Sequence, residues 1–452
     1  MDSGDRRNKD LHIFQCKGLE FAYDVNSGSL LQVDQLAGEV MRLLVQGFSR
    51  DEVVLRLKDR FDQQELLSVF QEIGRLQREQ VIFTPPAVRG PTASGPQAVK
   101  ALCLLVSQDC NLSCRYCFAR DGQDQSVLNM PWEVGRKAVD FLLAQGSGRF
   151  REIDFFGGEP LLNFPVVKGI VQYAREKAGK VGVELAFTLT TNASLLNDEI
   201  IDFLNRENIS VVLSLDGRPQ VHDSMRKTHS GKGSYQETLQ NINRLLEQRN
   251  YRDYYIRGTY TKNNLDFSLD AEHLIGLGFD SLSLEPVIGT GDDFALTEED
   301  LPFLEAEYDR LTDIYLEQKR EGTPFLFYHF HVDLEQGPCL YKRISGCGAG
   351  TEYLAVAPDG RLYPCHQFAG NEDYLAGNIL DVEQLKNNPR LQELYDAPRI
   401  HQECNVCWAR YLCGYGCAAA NLTQVGHLEK NHALSCALQK MRLEKALYLQ
   451  AV

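Results

Sequence analysis

Apolar residues in the first part of the chain recur first at every second position and then, past Val33, at every third or fourth. His12–Cys16, Glu20–Tyr23 and Leu30–Val33 read as short strands, divided by turn signals at Lys17-Gly18 and Asn26-Ser27-Gly28. Helical periodicity covers 35–46, 50–60 and 64–79, and Ser49 with Glu52 offers a capping box to the second helix. A last apolar step, Val81-Ile82-Phe83, runs into Pro85-Pro86, and the Pro-, Gly-, Ser- and Ala-rich stretch of 85–98 reads as a linker. Residues 1–84 are therefore expected to form a small α+β module of winged-helix-like element order.

From Ala101 the two periods alternate. Strands are predicted at 101–106, 152–156, 184–190, 210–215, 254–261 and 281–285, with helices at 132–145, 165–178, 195–206, 234–248 and 268–276. Such a βαβα order implies a parallel sheet whose functional loops follow the strand C-termini. The chain is thus expected to be α/β, with its central domain at 99–320 and a further domain at 321–452. No apolar run reaches membrane-spanning length and the start, MDSGDRRNKD, lacks a hydrophobic signal core, so a cytoplasmic protein with no membrane partner is expected. A formal net charge of −15 argues against nucleic acid as a general partner.

Thirteen cysteines change the picture. Disulfides rarely persist in a reducing compartment, and eight of the cysteines fall between Cys339 and Cys436, so metal is the better account. Just after the first central strand comes Cys110-Asn111-Leu112-Ser113-Cys114-Arg115-Tyr116-Cys117, a C-x3-C-x2-C triplet. Three thiolates can bind three irons of a 4Fe–4S cube and leave the fourth open to a small molecule. Zinc would want a fourth ligand nearby and usually paired C-x2-C knuckles. The ring of Tyr116 could stack on a flat heterocycle at that iron.

Polar residues gather at the later strand ends. Gly157 and Gly158 admit close backbone approach, and Glu159 can accept from an ammonium group. Thr191-Asn192-Ala193 ends the third strand and Ser214-Leu215-Asp216-Gly217 the fourth, followed by His222, Asp223 and Arg226. Arg257 lies in the fifth strand and Glu285 ends the sixth. A carboxylate suits ribose hydroxyls and an arginine suits a carboxylate. Taken singly, each could equally be a cap, a turn or a surface ion pair. His222 receives no proton-transfer role.

The triplet, the Gly-Gly-Glu-Pro element and the strand-end set together resemble the radical S-adenosylmethionine (SAM) superfamily. That resemblance implies a partial (β/α)6 barrel, a radical-generating cluster on Cys110, Cys114 and Cys117, and SAM contacts from Tyr116, Gly157, Gly158, Glu159, Thr191, Asn192, Ser214, Asp216, Arg226 and Arg257. Ala193 stands where the family often has glycine. The run Cys347-x12-Gly360-x4-Cys365, then Cys404-x2-Cys407-x5-Cys413-x3-Cys417 and Cys436, resembles the iron–sulfur SPASM extension of peptide-modifying members. By that analogy Cys339, Cys347, Cys365 and Cys417 hold a first auxiliary 4Fe–4S cluster, and Cys404, Cys407, Cys413 and Cys436 a second, making three in all. Cys339 lies upstream of the core pattern, and without it the first auxiliary cluster would keep an open iron able to take a substrate thiolate. Cys16 and Cys103 fall within strands and read as core residues.

The stretch from Ser345 to Phe368, and a hairpin at Asp24–Gly28, look closest to the six-cysteine (SCIFF) peptide thioether maturases. The N-terminal module then resembles a leader-peptide recognition domain, which adds its ligand as a strand at a sheet edge. The implied reaction uses a 5′-deoxyadenosyl radical to bond a cysteine sulfur to a carbon of the same precursor peptide. The implied partners are a cysteine-rich precursor peptide and a reducing donor such as a flavodoxin or ferredoxin. Two other readings stay open: an anaerobic sulfatase maturase making formylglycine, and a non-catalytic iron–sulfur or zinc-binding protein.

Overall fold

The computed structural model describes residues 10–86, 98–117, 129–145, 148–289, 293–332, 334, 346–381, 402–428 and 430–452. Cys339 and residues 87–97 of the expected linker lie outside them.

The N-terminal part is an antiparallel sheet of β1 (Leu11–Cys16), β2 (Leu19–Asp24) and β3 (Leu30–Val33), with helices α1 (Gln35–Val45), α2 (Arg50–Leu57) and α3 (Gln63–Arg78). Cys16 pairs with Leu19 across a two-residue turn. Lys17 and Gly18 there both take positive φ, 52° and 77°, as a turn matched to strand twist requires. Ser49 and Glu52 form the capping box at α2. The buried Asp24 carboxylate accepts from the amides of Asn26, Ser27 and Thr84, pinning the second hairpin to the end of the module.

The second sheet has ten strands in the order β10-β9-β8-β7-β6-β5-β4-β11-β12-β13. Strands β4 (Ala101–Ser107), β5 (Phe150–Gly157), β6 (Glu184–Thr191), β7 (Ser210–Ser214), β8 (Tyr254–Tyr260) and β9 (Ser281–Pro286) run parallel. Their intervening helices are α4 (Trp132–Ala144), α5 (Phe164–Val181), α6 (Asp198–Arg206), α7 (Pro219–Met225), α8 (Tyr235–Gln248) and α9 (Phe267–Gly276). After α10 (Leu301–Glu321) a short β10 (Leu326–Phe327) joins β9, so the sheet continues past residue 320. On the other edge β11 (Tyr353–Val356) pairs parallel with β4, and β12 (Arg361–Tyr363) and β13 (Gly377–Asn378) continue the sheet antiparallel. Cys103 of β4 is buried in a small core with Ala355, Tyr363 and Phe368 from this extension.

The C-terminal part carries helices α11 (Ala418–Val425) and α12 (Ala433–Ala451). Helix α12 lies between α10 and the N-terminal sheet. Lys445 bonds Asp309 of α10 at 2.6 Å, Glu444 bonds His12 at 2.8 Å, and Tyr448 meets the Phe21 ring edge-on. His12 also stacks on Trp408 at 3.9 Å with rings 3° from parallel. The buried Arg410 donates to Asp10 at 2.5 Å and to Asn26 at 3.1 Å. The N-terminal sheet is therefore fixed to the segment between Cys407 and Cys413.

Candidate active site at the strand ends

The triplet loop leaves β4 and is held from two sides. Ser113 N–H donates to Lys227 O and Arg115 N–H to Met225 O, which ties it to the segment after α7. On the other side it rests on the end of β5. Gly158 N–H donates to Ser107 O and Glu159 N–H to Asp109 O. A Cβ on Gly157 would stand 2.0 Å from Ser107 O, and one on Gly158 2.3 Å from Asp109 O. The close approach these glycines permit is thus to the triplet loop's own backbone.

Glu159 is fully buried. Its carboxylate accepts from Thr191 Oγ1 at 2.8 Å, Asn192 N–H at 2.8 Å and Leu161 N–H at 3.1 Å. Burial pushes its carboxyl up to about 7, against these three donors. A carboxylate has about four lone-pair sites, so capacity for one further donor remains. Asn192 turns its amide to Asn111 Oδ1 at 3.0 Å and to Cys110 Sγ at 3.8 Å. Leu112 N–H also points at Cys110 Sγ, at 3.4 Å. Donors of this kind stabilise a thiolate and tune an iron–sulfur cluster.

Asp216, almost fully buried after β7, is the hub of the next group. Its Oδ2 accepts from Tyr116 Oη at 2.5 Å and Arg226 Nε at 3.0 Å, and its Oδ1 from Thr259 N–H at 3.0 Å. The Arg226 guanidinium sits 5.4 Å from the centre of the Tyr116 ring, and both residues lie within electrostatic reach of Cys114. Burial holds His222 down to about 4, so it is neutral. Its Nδ1 accepts from Asp216 N–H and its Nε2 therefore donates to Ser234 Oγ at 2.9 Å, a buttress for the hub with no free proton.

Ser214 ends β7 in register with Arg257 of β8. Arg257 does not join the Asp216 group. Its electrostatic neighbours are Glu285, His329 and His366. Glu285 pairs with His329 Nε2 at 2.9 Å and with Arg442 of α12 at 3.7 Å. Burial opposes charge on Glu285, yet His329, Arg257 and Arg442 together hold it below the ordinary carboxylate range.

The seven described cysteines from Cys347 onward fall into two further sets. Cys365 is within electrostatic reach of Cys417 and Cys347, and Cys413 of Cys436, Cys407 and Cys404. Burial pushes the thiols of Cys110 and Cys365 up to about 12 and that of Cys413 to about 11, so each site needs cationic charge to hold thiolates. Asn431 Nδ2 donates to Cys404 Sγ at 3.1 Å and Ala420 N–H to Cys417 Sγ at 3.4 Å. Among the described residues no three His, Cys, Asp or Glu side chains can share one metal ion. Periodicity gives no sign of Asn431, His329 or Arg442, because each acts from a distant element.

Residues 104–257 match the profile of the radical SAM superfamily and residues 347–408 that of the SPASM iron–sulfur cluster-binding domain. The chain carries a radical SAM domain and a SPASM domain. These domains imply 4Fe–4S chemistry and SAM. An uncharacterized protein of Methanocaldococcus jannaschii is 31% identical over 41% of this chain, which spans 62% of that relative's length. The antilisterial bacteriocin subtilosin biosynthesis protein AlbA of Bacillus subtilis is 27% identical over 71% of this chain and 68% of its own. The serine-type anaerobic sulfatase-maturating enzyme of Klebsiella aerogenes is 25% identical over 73% and 82%. Among solved structures, Streptococcus suis SuiB bound to precursor peptide SuiA shares the fold, with a TM-score of 0.56 at 16% identity over 94% of this chain and 98% of SuiB. No described helix is long and apolar enough to cross a membrane.

Proposed function

We propose that this radical SAM protein installs thioether crosslinks in a ribosomally made, cysteine-rich precursor peptide. The carrying observation is the joint presence of three cysteine sets and an N-terminal sheet docked beside one of them. The likeness to a bacteriocin biosynthesis protein and to a protein that binds a precursor peptide supports the peptide substrate.

In this reading Cys110, Cys114 and Cys117 hold the SAM-binding cluster, and the two SPASM sets hold two more. Reduced and bound with SAM, that cluster would supply a 5′-deoxyadenosyl radical to take one hydrogen atom from a peptide carbon. The cysteine thiol would lose its proton, and the surplus electron would pass to an auxiliary cluster as the C–S bond forms. The chain's own residues position and shield. Tyr116 and Arg226, fixed by Asp216, form one wall for SAM, and Ser214 stands on the next strand end. Thr191, Asn192 and Glu159 hold the opposite wall against the triplet loop, with Gly157 and Gly158 as the hinge of that contact. The N-terminal sheet holds the leader, and a flavodoxin or ferredoxin supplies electrons.

A sulfatase-type reaction is the second reading, favoured by the maturase relative. Mass spectrometry of a cysteine-rich peptide, encoded beside this protein and treated with it and SAM, separates the two. Loss of two hydrogens per crosslink is expected, and a formylglycine product would replace the thioether reading. Anaerobic reconstitution should give about twelve irons. The Cys114→Ala variant should lose about four of them together with SAM cleavage. Wild-type cleavage in that variant would remove the triplet from the mechanism.

A further inference from the structure

The four cysteines of the second SPASM set come from two separate segments. Cys404, Cys407 and Cys413 lie in one stretch, and Cys436 lies on α12. Within that stretch the regular structure is two single helical turns, Gln402–Asn405 and Arg410–Cys413. One turn is too short to hold itself in place, so contacts from elsewhere must fix its cysteines.

The N-terminal sheet supplies such contacts to both segments. Arg410 is 4% exposed, and its guanidinium donates to Cys407 O at 3.1 Å, Asp10 Oδ1 at 2.5 Å and Asn26 Oδ1 at 3.1 Å. One planar fork thus joins a cysteine's own carbonyl to two residues of the module. Those two are tied to each other, because Asn26 Nδ2 donates to Asp10 Oδ2 at 3.0 Å as well as to Thr84 O at 2.8 Å. His12 spans the segments. Its ring stacks at 3.9 Å on Trp408, the neighbour of Cys407 in the chain. Its Nε2 donates at 2.8 Å to Glu444, on the helix that carries Cys436.

We propose that the N-terminal sheet braces the second auxiliary cluster site, with Arg410 as the positioning residue that ties Cys407 to Asp10 and Asn26. This rests on the reading that Cys404, Cys407, Cys413 and Cys436 hold a 4Fe–4S cluster. Outer contacts of this kind orient metal ligands, and removing one weakens a site about 10–100-fold. Buried and paired with Asp10, Arg410 cannot release that partner without leaving a charge unmatched in the interior. The module assigned to the leader is then also one wall of a cluster site, and undocking it loosens Cys407.

The test follows each cysteine separately. The reconstituted holoprotein is held without oxygen beside EDTA and iodoacetamide, and alkylation of every cysteine is timed by mass spectrometry. A ligating thiolate becomes reactive as its iron leaves. Asp10→Asn keeps the shape and removes the charge. It should speed alkylation at Cys404, Cys407, Cys413 and Cys436 about tenfold and leave Cys110, Cys114 and Cys117 at the native rate. Arg410→Gln should do at least as much, and adding Asp10→Asn to it should change nothing further, because Asp10 acts through Arg410. If Arg410→Gln does not fold, Asp10→Asn alone decides. Equal rates in the native and Asp10→Asn proteins overturn the proposal. So does an equal rise at Cys110, Cys114 and Cys117, which marks general unfolding, and so do effects that multiply in the double variant. Immediate alkylation of Cys404, Cys407, Cys413 and Cys436 in the native holoprotein faults the cluster reading, whereas protection that ignores Asp10 and Arg410 faults the brace alone.

Discussion

The Tyr116 hydroxyl donates to Asp216 Oδ2 at 2.5 Å, so the residue before the last triplet cysteine is locked to a carboxylate a hundred positions away. Removing only that bond tests how far the lock matters. Tyr116→Phe keeps the ring and leaves Asp216 with Arg226 and Thr259. The expected cost is about 1–1.5 kcal/mol in urea unfolding and a roughly tenfold weaker SAM Kd by equilibrium dialysis. An unchanged Kd would mean that the hydroxyl does not shape the SAM wall.

Asp216→Asn asks more of the site, because Arg226 is 9% exposed and would lose its counter-charge. Breaking a buried pair from one side costs about 3–5 kcal/mol, so this variant should melt well below the Tyr116→Phe protein. Calorimetry on the two side by side checks the order.

Ala193 should be improvable. It comes directly after Thr191-Asn192 at φ 61°, a left-handed conformation that costs a Cβ-bearing residue about 1–2 kcal/mol, partly offset by the greater chain entropy of glycine. Ala193→Gly is expected to raise stability by about 0.5–1 kcal/mol, read as a higher urea midpoint with an unchanged slope.

Glu159 predicts a pH dependence. Its folded carboxyl titrates at about 7, above the ordinary 4.5, because burial outweighs its three donors. A raised carboxyl favours the protonated form, so its contribution is full below the ordinary value and is lost as pH rises through about 7. The stability of the native chain minus that of Glu159→Gln should therefore fall between about pH 5 and about pH 8. Parallel urea curves for the two proteins across that range would show the titration to lie elsewhere.

The strand and helix pattern of the N-terminal part and of the barrel was legible because each element has one apolar face and a clear stop. Predicted 64–79 and observed Gln63–Arg78 differ by one residue at each end. Two barrel-associated helices were not legible. Helix α7 has only seven residues, and α10 lies beyond the last expected strand. The pairing of β11 with β4 was hidden too, since it joins Leu354 to Leu102 across some 250 residues and leaves no local period. Within the site the sequence identified residue types but not directions. Arg226 and Arg257 looked alike on paper, and only the fold sends one to Asp216 and the other toward Glu285 and His366. Glu159 looked like a ligand acceptor, and in the fold it also spends three of its sites on Thr191, Asn192 and Leu161, which leaves capacity for one further donor.

Helix α12 imposes a delay on biosynthesis. His12 finds Glu444 only 432 positions later, and Phe21 must wait for Tyr448. At ribosomal rates of about 5–20 residues per second that interval is roughly 20–90 s. During it the N-terminal sheet holds Phe14, Phe21 and Tyr23 without the helix that will cover them. A nascent chain of this protein is thus expected to need a holding chaperone at its first thirty residues, and a truncation before Glu444 should stay bound to one.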